Sequence, residues 1–194
     1  METELNKITI TDKLIAKTIL PFVPRIVTPN HLTAFRLAAT PFVLYLLTLG
    51  EYQWGLVLFI ITAFSDAVDG ALARVRGLVT EWGKMYDPLA DKFLIGSVTA
   101  LIVAKFLDQW LALSIIGLEL FLIIGAFWRR RYRKIEIKAK KVGKVKMVLQ
   151  SLGVGLLLLS IVLGGQPILL EAARYTLILG LAFAVLSLVV YRSI

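Results

Sequence analysis

The chain has 194 residues, 58% of them hydrophobic and 18% charged, with a mean hydropathy of +0.81 and a net charge of +9. Soluble domains are about 45–50% apolar and about 25% charged, so a soluble globular reading fails, and a disordered one fails on the same numbers. With no cysteine and one histidine, disulfide frameworks, thiol catalysis, thiolate metal sites and multi-histidine metal sites are excluded, and a basic balance in so apolar a chain points to an anionic membrane surface, not to nucleic acid.

Residues 1–30 show no compact apolar stretch followed by a small-residue cleavage site, so they read as an N-terminal amphipathic, juxtamembrane segment before a six-helix domain at 31–194. Within that segment TITDKLIAKTIL, at 9–20, predicts a short amphipathic helix lying in the membrane interface. Thr9 with Asp12 has the form of a capping box, Ile10, Leu14 and Ile19 can share one face, and Lys13 and Lys17 share another. Pro21, Pro24 and Pro29 break any continuous helix. His31 follows as an interfacial polar residue.

Six apolar stretches come next, at about 33–50, 54–76, 83–106, 109–128, 147–164 and 172–191. Each is close to the ~20 residues that span a hydrocarbon core. Gly50-Glu51, Arg76-Gly77, Asp108-Gln109, a long basic run and Gly164-Gly165-Gln166-Pro167 separate them. Trp54, Trp82, Trp110 and Trp128 fall at span ends, where interfacial aromatics belong. The fifth and sixth stretches carry Gly153, Gly155 and Gly180, small residues that allow close helix packing. The reading is an all-α integral membrane protein with six transmembrane helices and an N-terminal interfacial amphipathic helix. Lys and Arg orient it. With both termini cytoplasmic, only Lys105 and Arg174 fall near the outer face. The opposite orientation would translocate the run from Arg129 to Lys134 together with Lys138, Lys140, Lys141, Lys144 and Lys146.

The second and third stretches hold four aspartates at membrane depth: Asp66, Asp69, Asp87 and Asp91. A charge at the centre of a span costs roughly 2.5–3.5 kcal/mol, so the set costs on the order of 10 kcal/mol before pairing. Asp66 and Asp69 are three apart and Asp87 and Asp91 four apart, so each pair lies on one helix face. Gly70, Ala73 and Gly77 share the face of Asp66, and Gly83 that of Asp87 and Asp91. Two facing helices thus present carboxylates beside residues with almost no side chain. Converging carboxylates repel one another unless cations intervene. Oxygen-only ligands favour Mg²⁺ or Mn²⁺, and two such ions could clamp a pyrophosphate during displacement at phosphorus. An ion or proton pathway, as in a small membrane ion transporter, and plain ion pairing with Arg74, Lys84 or Lys92 are the other readings of the same residues.

Read together, residues 66–91 are DAVDGALARVRGLVTEWGKMYDPLAD. This stretch resembles the signature of the CDP-alcohol phosphatidyltransferases, D-x2-D-G-x2-A-R-x8-G-x3-D-x3-D, and Asp66, Asp69, Gly70, Ala73, Arg74, Gly83, Asp87 and Asp91 fill every fixed position. Upstream, Pro29-Asn30-His31-Leu32-Thr33-Ala34-Phe35-Arg36 resembles the P-N-x-x-T-x-x-R entry to the family's first span. Downstream, Gly143-Lys144-Val145-Lys146 resembles its G-K-x-K. The resemblance implies transfer of a phosphatidyl group from CDP-diacylglycerol to an alcohol, with release of CMP. By motif position, Asp66, Asp69, Asp87 and Asp91 hold two Mg²⁺ or Mn²⁺ ions, and Asp91 is also the catalytic base. Asn30, Thr33, Asp69, Gly70, Ala73, Arg74 and Gly83 hold the CDP group. A homodimer in a bacterial cytoplasmic membrane is also implied.

Asp87-Pro88-Leu89-Ala90-Asp91-Lys92 resembles the phosphatidylglycerophosphate and cardiolipin synthase branch, which favours glycerol 3-phosphate over inositol phosphate or phosphatidylglycerol as acceptor. Two positions depart from the glycerophosphate pattern. Leu118 precedes Glu119 where that branch commonly has arginine, and Met147 stands where it has threonine. An acceptor with its own phosphate needs cationic donors, which Arg129, Arg130, Arg131, Lys144 and Lys146 can supply. The same run also serves as topogenic charge or binds anionic headgroups. Glu119 is a further intramembrane acid, read either as pairing with a basic residue of the site or as simply stabilising the bundle.

Overall fold

The computed structural model describes residues 10–24, 26–78, 80–133 and 140–192. Those residues form α1 (Ile10–Thr18), a 3₁₀ turn at Leu20–Phe22, α2 (Pro29–Thr48), α3 (Tyr52–Val75), α4 (Glu81–Phe106), α5 (Gln109–Arg133), α6 (Lys140–Val162) and α7 (Pro167–Arg192), with no strand among them. Every apolar stretch read from the sequence is a helix. The helices run past those stretches where polar residues also favour helix. Prolines open α2 and α7 at their first position, where a missing N–H costs nothing. Lysines and arginines, good helix formers, carry α5 and α6 beyond their apolar parts.

Among the described residues three helices are long and apolar enough to cross a membrane: α3, the part of α6 from Val145 to Val162, and α7 from Pro167 to Leu188. The apolar part of α5, Gln109–Gly125, is shorter. Charge interrupts the other two, Arg36 in α2 and Asp87, Asp91 and Lys92 in α4.

The chain divides into two compact units, Met1–Leu94 and Ile95–Ile194, so α4 begins in one and ends in the other. In the first unit α2 and α3 form a hairpin. It turns at Gly50, whose φ of +84° suits a residue without Cβ, and the N–H of Glu51 closes the end of α2 on Leu46 O at 3.0 Å. A Cβ on Gly55 would lie 2.5 Å from Leu47 Cδ2, so a glycine is what lets these two helices approach. The other end of α3 stops at Gly77 (φ +66°) in the same way, with Leu78 N–H on Ala73 O at 3.0 Å. Against that end packs α1, through buried Leu20, Val68 and Leu72 with Ile15, Ala16 and Ile19 around them.

Asp12, Ile15, Ala16 and Ile19 therefore share the face of α1 that meets α3. Leu14, grouped by sequence with Ile10 and Ile19, points away and is exposed. The Thr9 half of the capping box lies outside the described residues.

The second unit is held by the α6–α7 hairpin. A Cβ on Gly153 would lie 2.7 Å from Leu177 Cγ, and Gly180 sits on the backbone of Lys146 and Gln150. Between α5 and α6 runs a buried polar string: Lys146 Nζ donates to Glu119 Oε1 at 2.7 Å, and Gln150 Nε2 to Glu119 Oε2 at 3.3 Å. Asp108 caps α5 by accepting the Leu111 N–H at 2.8 Å. Trp54 and Trp110 stand exposed at the starts of α3 and α5, while the side chains of Trp82 and Trp128 lie outside those described.

Candidate active site

Three helices of the first unit supply the site. α2 contributes Asn30, Thr33 and Arg36 at three-residue intervals, which keeps them near one face. α3 contributes Asp66, Asp69, Gly70, Ala73 and Arg74, and the first turns of α4 contribute Gly83, Asp87 and Asp91.

Arg36 lies at the centre and is fully buried. Its Nη2 donates to Asp69 Oδ2 at 2.5 Å, its Nη1 to Asp91 Oδ1 at 2.5 Å, and Asp66 Oδ1 lies 3.1 Å from Nη1. Nε reaches Ser65 Oγ at 3.5 Å. The fourth carboxylate is held separately, by Thr33 Oγ1 donating to Asp87 Oδ1. A second string runs beside it. Thr80 Oγ1 donates to Asn30 Oδ1 at 2.7 Å and accepts the Gly83 N–H at 3.0 Å. A Cβ on Gly83 would meet Thr80 Oγ1, Asn30 Oδ1 and Asp87 Oδ2 at 3.2, 3.3 and 3.4 Å, so the glycine is where this polar wall closes in.

Asp66, Asp69 and Asp91 meet on one guanidinium, and Asp87 is held apart from it by Thr33. Three of them pair with Arg36 on α2, which the sequence reading did not offer as a partner; of the partners it did offer, Arg74 pairs with Asp12 and the side chain of Lys84 lies outside those described. Exposure grades across the cluster, with the side chain of Asp69 at 4%, Asp91 at 17% and Asp66 at 47%, so the open side is at Asp66. Among the acceptor candidates Lys146 is buried against Glu119 in the second unit, and the side chains of Arg129, Arg130, Arg131 and Lys144 lie outside those described.

Sequence reasoning missed Arg36, Thr80, Ser65 and Asp12. Arg36 left a signal, a lone cation inside an otherwise uncharged apolar helix; Thr80 sits in a turn and Asp12 in the leader, and neither left one.

The donor chemistry is all oxygen, which suits a hard divalent cation. In the arrangement found, the carboxylates close on a guanidinium, and among the described residues no three acidic side chains meet closely enough to hold one metal ion. The residues present fit a cation centre, with Arg36 as the cation they grip here.

The family profile of the CDP-alcohol phosphatidyltransferases matches residues 26–188. The chain belongs to that family. Among curated relatives of this phosphatidyltransferase, the CDP-diacylglycerol–glycerol-3-phosphate 3-phosphatidyltransferase of Rickettsia typhi is 34% identical over 80% of the chain and 93% of its own length. The Bacillus subtilis protein of the same name is 32% identical over 68% of the chain and 76% of its length. A cardiolipin synthase (CMP-forming) from Streptomyces coelicolor is 30% identical over 54% of the chain and 52% of its length.

Proposed function

We propose that this phosphatidyltransferase moves the phosphatidyl group of CDP-diacylglycerol onto glycerol 3-phosphate, giving phosphatidylglycerophosphate and CMP. The observation that carries the reading is the gathering of Asp66, Asp69 and Asp91 around one buried cationic centre, with Asp87 pinned beside it by Thr33. The bond that forms joins the acceptor oxygen to the phosphorus bearing the lipid, and the bond that breaks releases CMP. Asp91 takes the acceptor's hydroxyl proton. Asp66, Asp69, Asp87 and Asp91 would hold two Mg²⁺ or Mn²⁺ ions, whose chemistry is to neutralise the attacking and leaving oxygens. Asn30, Thr33 and Arg74 bind the CDP group, and Gly70, Ala73 and Gly83 leave the wall low enough for it to lie against α3 and α4. Arg129, Arg130, Arg131, Lys144 and Lys146 serve the acceptor phosphate, with Lys146 anchored by Glu119.

The glycerol 3-phosphate assignment is supported by the D-P-L-A-D-K block and by the names of relatives aligned over four-fifths of the chain. The half-length match to a cardiolipin synthase makes phosphatidylglycerol the second acceptor to test. Six spans with both termini cytoplasmic, residues 31–194 as the catalytic domain after a juxtamembrane leader, and a homodimer complete the proposal.

The test is CMP release from CDP-diacylglycerol by purified protein with Mg²⁺, offered glycerol 3-phosphate, inositol phosphate, phosphatidylglycerol and serine in parallel. Release with glycerol 3-phosphate alone is expected. Release with a different acceptor keeps the chemistry and overturns the acceptor. No release with any acceptor, in protein shown to be folded, overturns the reading.

A further inference from the structure

We propose that Asp12, on the N-terminal helix, is a positioning residue: it holds the Arg74 guanidinium over Gly70, where its outer edge meets the phosphate of the nucleotide donor. The inference rests on the reading of Arg74 as a contact to the CDP group.

Asp12 is an acid whose side chain is only 2% exposed. Its Oδ2 accepts from Arg74 Nε at 2.8 Å and its Oδ1 from Arg74 Nη2 at 2.7 Å, a two-pronged pair joining residues 62 apart in the chain. The guanidinium is folded back one turn along α3. A Cβ on Gly70 would lie 3.1 Å from Nη2 and 3.4 Å from Nη1. The pair consumes the Nε–H and one Nη2–H. Of the five N–H donors of an arginine, the two on Nη1 and the second on Nη2 are left, and they form the other prong-pair of the same rigid plane. The Arg74 side chain remains about one-third exposed, and Gly70, having no Cβ, leaves room beside Nη1 and Nη2.

Two physical points separate this role from simple docking of α1. Apolar contacts already dock it, through Ile15, Ala16 and Ile19 on the Leu20, Val68 and Leu72 cluster. A buried ion pair adds little to such a contact, since apolar replacements of buried pairs are often as stable. Second, Asp66 and Asp69 lie on the same face of α3 and within electrostatic reach of Arg74. Asp12 draws the guanidinium away from them, and Arg36 already shows where a cation drawn by those carboxylates goes. Asp12 is the counterweight that keeps Arg74 out of the carboxylate cluster and facing the donor.

The experiment compares purified full-length wild type, Asp12→Asn, Asp12→Glu, Arg74→Ala and the swap Asp12→Arg/Arg74→Asp. KM for CDP-diacylglycerol, KM for the acceptor, kcat and protease protection of α1 are measured for each. Loss of a charge-assisted pair predicts that Asp12→Asn raises KM for CDP-diacylglycerol roughly tenfold. Its acceptor KM and kcat should stay within about twofold, the pattern of a lost binding contact, with α1 still protected. Asp12→Glu, which keeps the charge and shifts the prongs by one methylene, should give a smaller rise. The swap, which keeps a charge pair but moves the guanidinium to α1, should leave the donor KM raised with α1 still protected. If Asp12→Asn leaves the donor KM unchanged while Arg74→Ala raises it, the positioning role is overturned and the reading of Arg74 stands. Should Arg74→Ala itself leave the donor KM unchanged, the reading of Arg74 fails and the inference with it. A swap that restores the donor KM would make the pair a clasp and nothing more.

Discussion

The space a side chain would take at Gly83 is bounded on three sides by oxygen atoms of Thr80, Asn30 and Asp87, all within 3.4 Å of an added Cβ. Gly83→Ala should therefore displace Asn30 or Asp87 and lower kcat/KM for CDP-diacylglycerol by about tenfold, the price of a sub-ångström misplacement. Gly117→Ala, where an added Cβ meets nothing within 4 Å, should leave the rate unchanged in the same assay. Asp91→Asn removes the proposed proton acceptor and should cut kcat by roughly 10²–10⁴-fold, with the far-ultraviolet spectrum of the folded protein intact. Arg36→Met leaves three carboxylates facing one another and should lower the thermal midpoint in chelator, at a cost of about 3–5 kcal/mol. Mg²⁺ should then raise the midpoint of the variant more than that of the wild type, which a thermal melt with and without chelator reads directly. Of these residues the aspartates and Gly83 were legible in the sequence, because acids at membrane depth are costly and a fixed spacing put them on facing helices. Arg36 was visible only as one letter of a motif, since near the end of a predicted span an arginine reads as a flanking charge. Asp12 was read as half of a local cap, because a pairing 62 residues away leaves no periodic trace.

At the scale of the helix the glycines that the sequence marked as spacers do different work. Gly153 brings α6 onto α7, where an added Cβ would lie 2.7 Å from Leu177 Cγ and 3.3 Å from its backbone nitrogen. The backbone cannot yield as a side-chain tip can, so Gly153→Ala should destabilise the protein by about 1–3 kcal/mol, seen as a lower melting point in detergent. The Glu119–Lys146 pair between α5 and α6 is a second test of packing. Glu119→Gln strands the ammonium of Lys146, and Lys146→Met strands the carboxylate of Glu119. Each alone should cost about 3–5 kcal/mol, while the double Glu119→Leu/Lys146→Met should recover most of that loss. Helix ends were the most legible feature of all. Gly50, Gly77 and Gly164, each with positive φ, stand at the breaks the sequence announced. Helix starts moved by several residues because apolar runs mark only the part that seeks lipid or core, whereas proline and lysine extend the helix beyond it.

For the molecule as a whole the cysteine-free sequence is a ready background for site-directed labelling. The proposed six spans predict that Glu51→Cys and Gln166→Cys react with an impermeant maleimide added outside intact cells, and that Leu78→Cys reacts only after the membrane is opened. All three positions are exposed loop residues, so a failure to label would reflect sidedness and not burial. Six helical stretches were legible because lipid demands long apolar runs. Among the described residues three helices are apolar enough to cross, because Arg36, Asp87 and Asp91, residues of the proposed site, sit in the bodies of α2 and α4 and the apolar part of α5 is shorter. Asp87 and Asp91, with Asp66 and Asp69, make this surface rich in carboxylate: three of them share Arg36 and Asp87 is held by Thr33. A pyrophosphate-bearing donor is itself an anion and is repelled by such a surface until positive charge arrives. Donor binding, measured by retention of labelled CDP-diacylglycerol on immobilised protein, should vanish in chelator even though the helices stand unchanged. The order of addition, cation before nucleotide lipid, then follows from the like sign of carboxylate and pyrophosphate and needs no moving part.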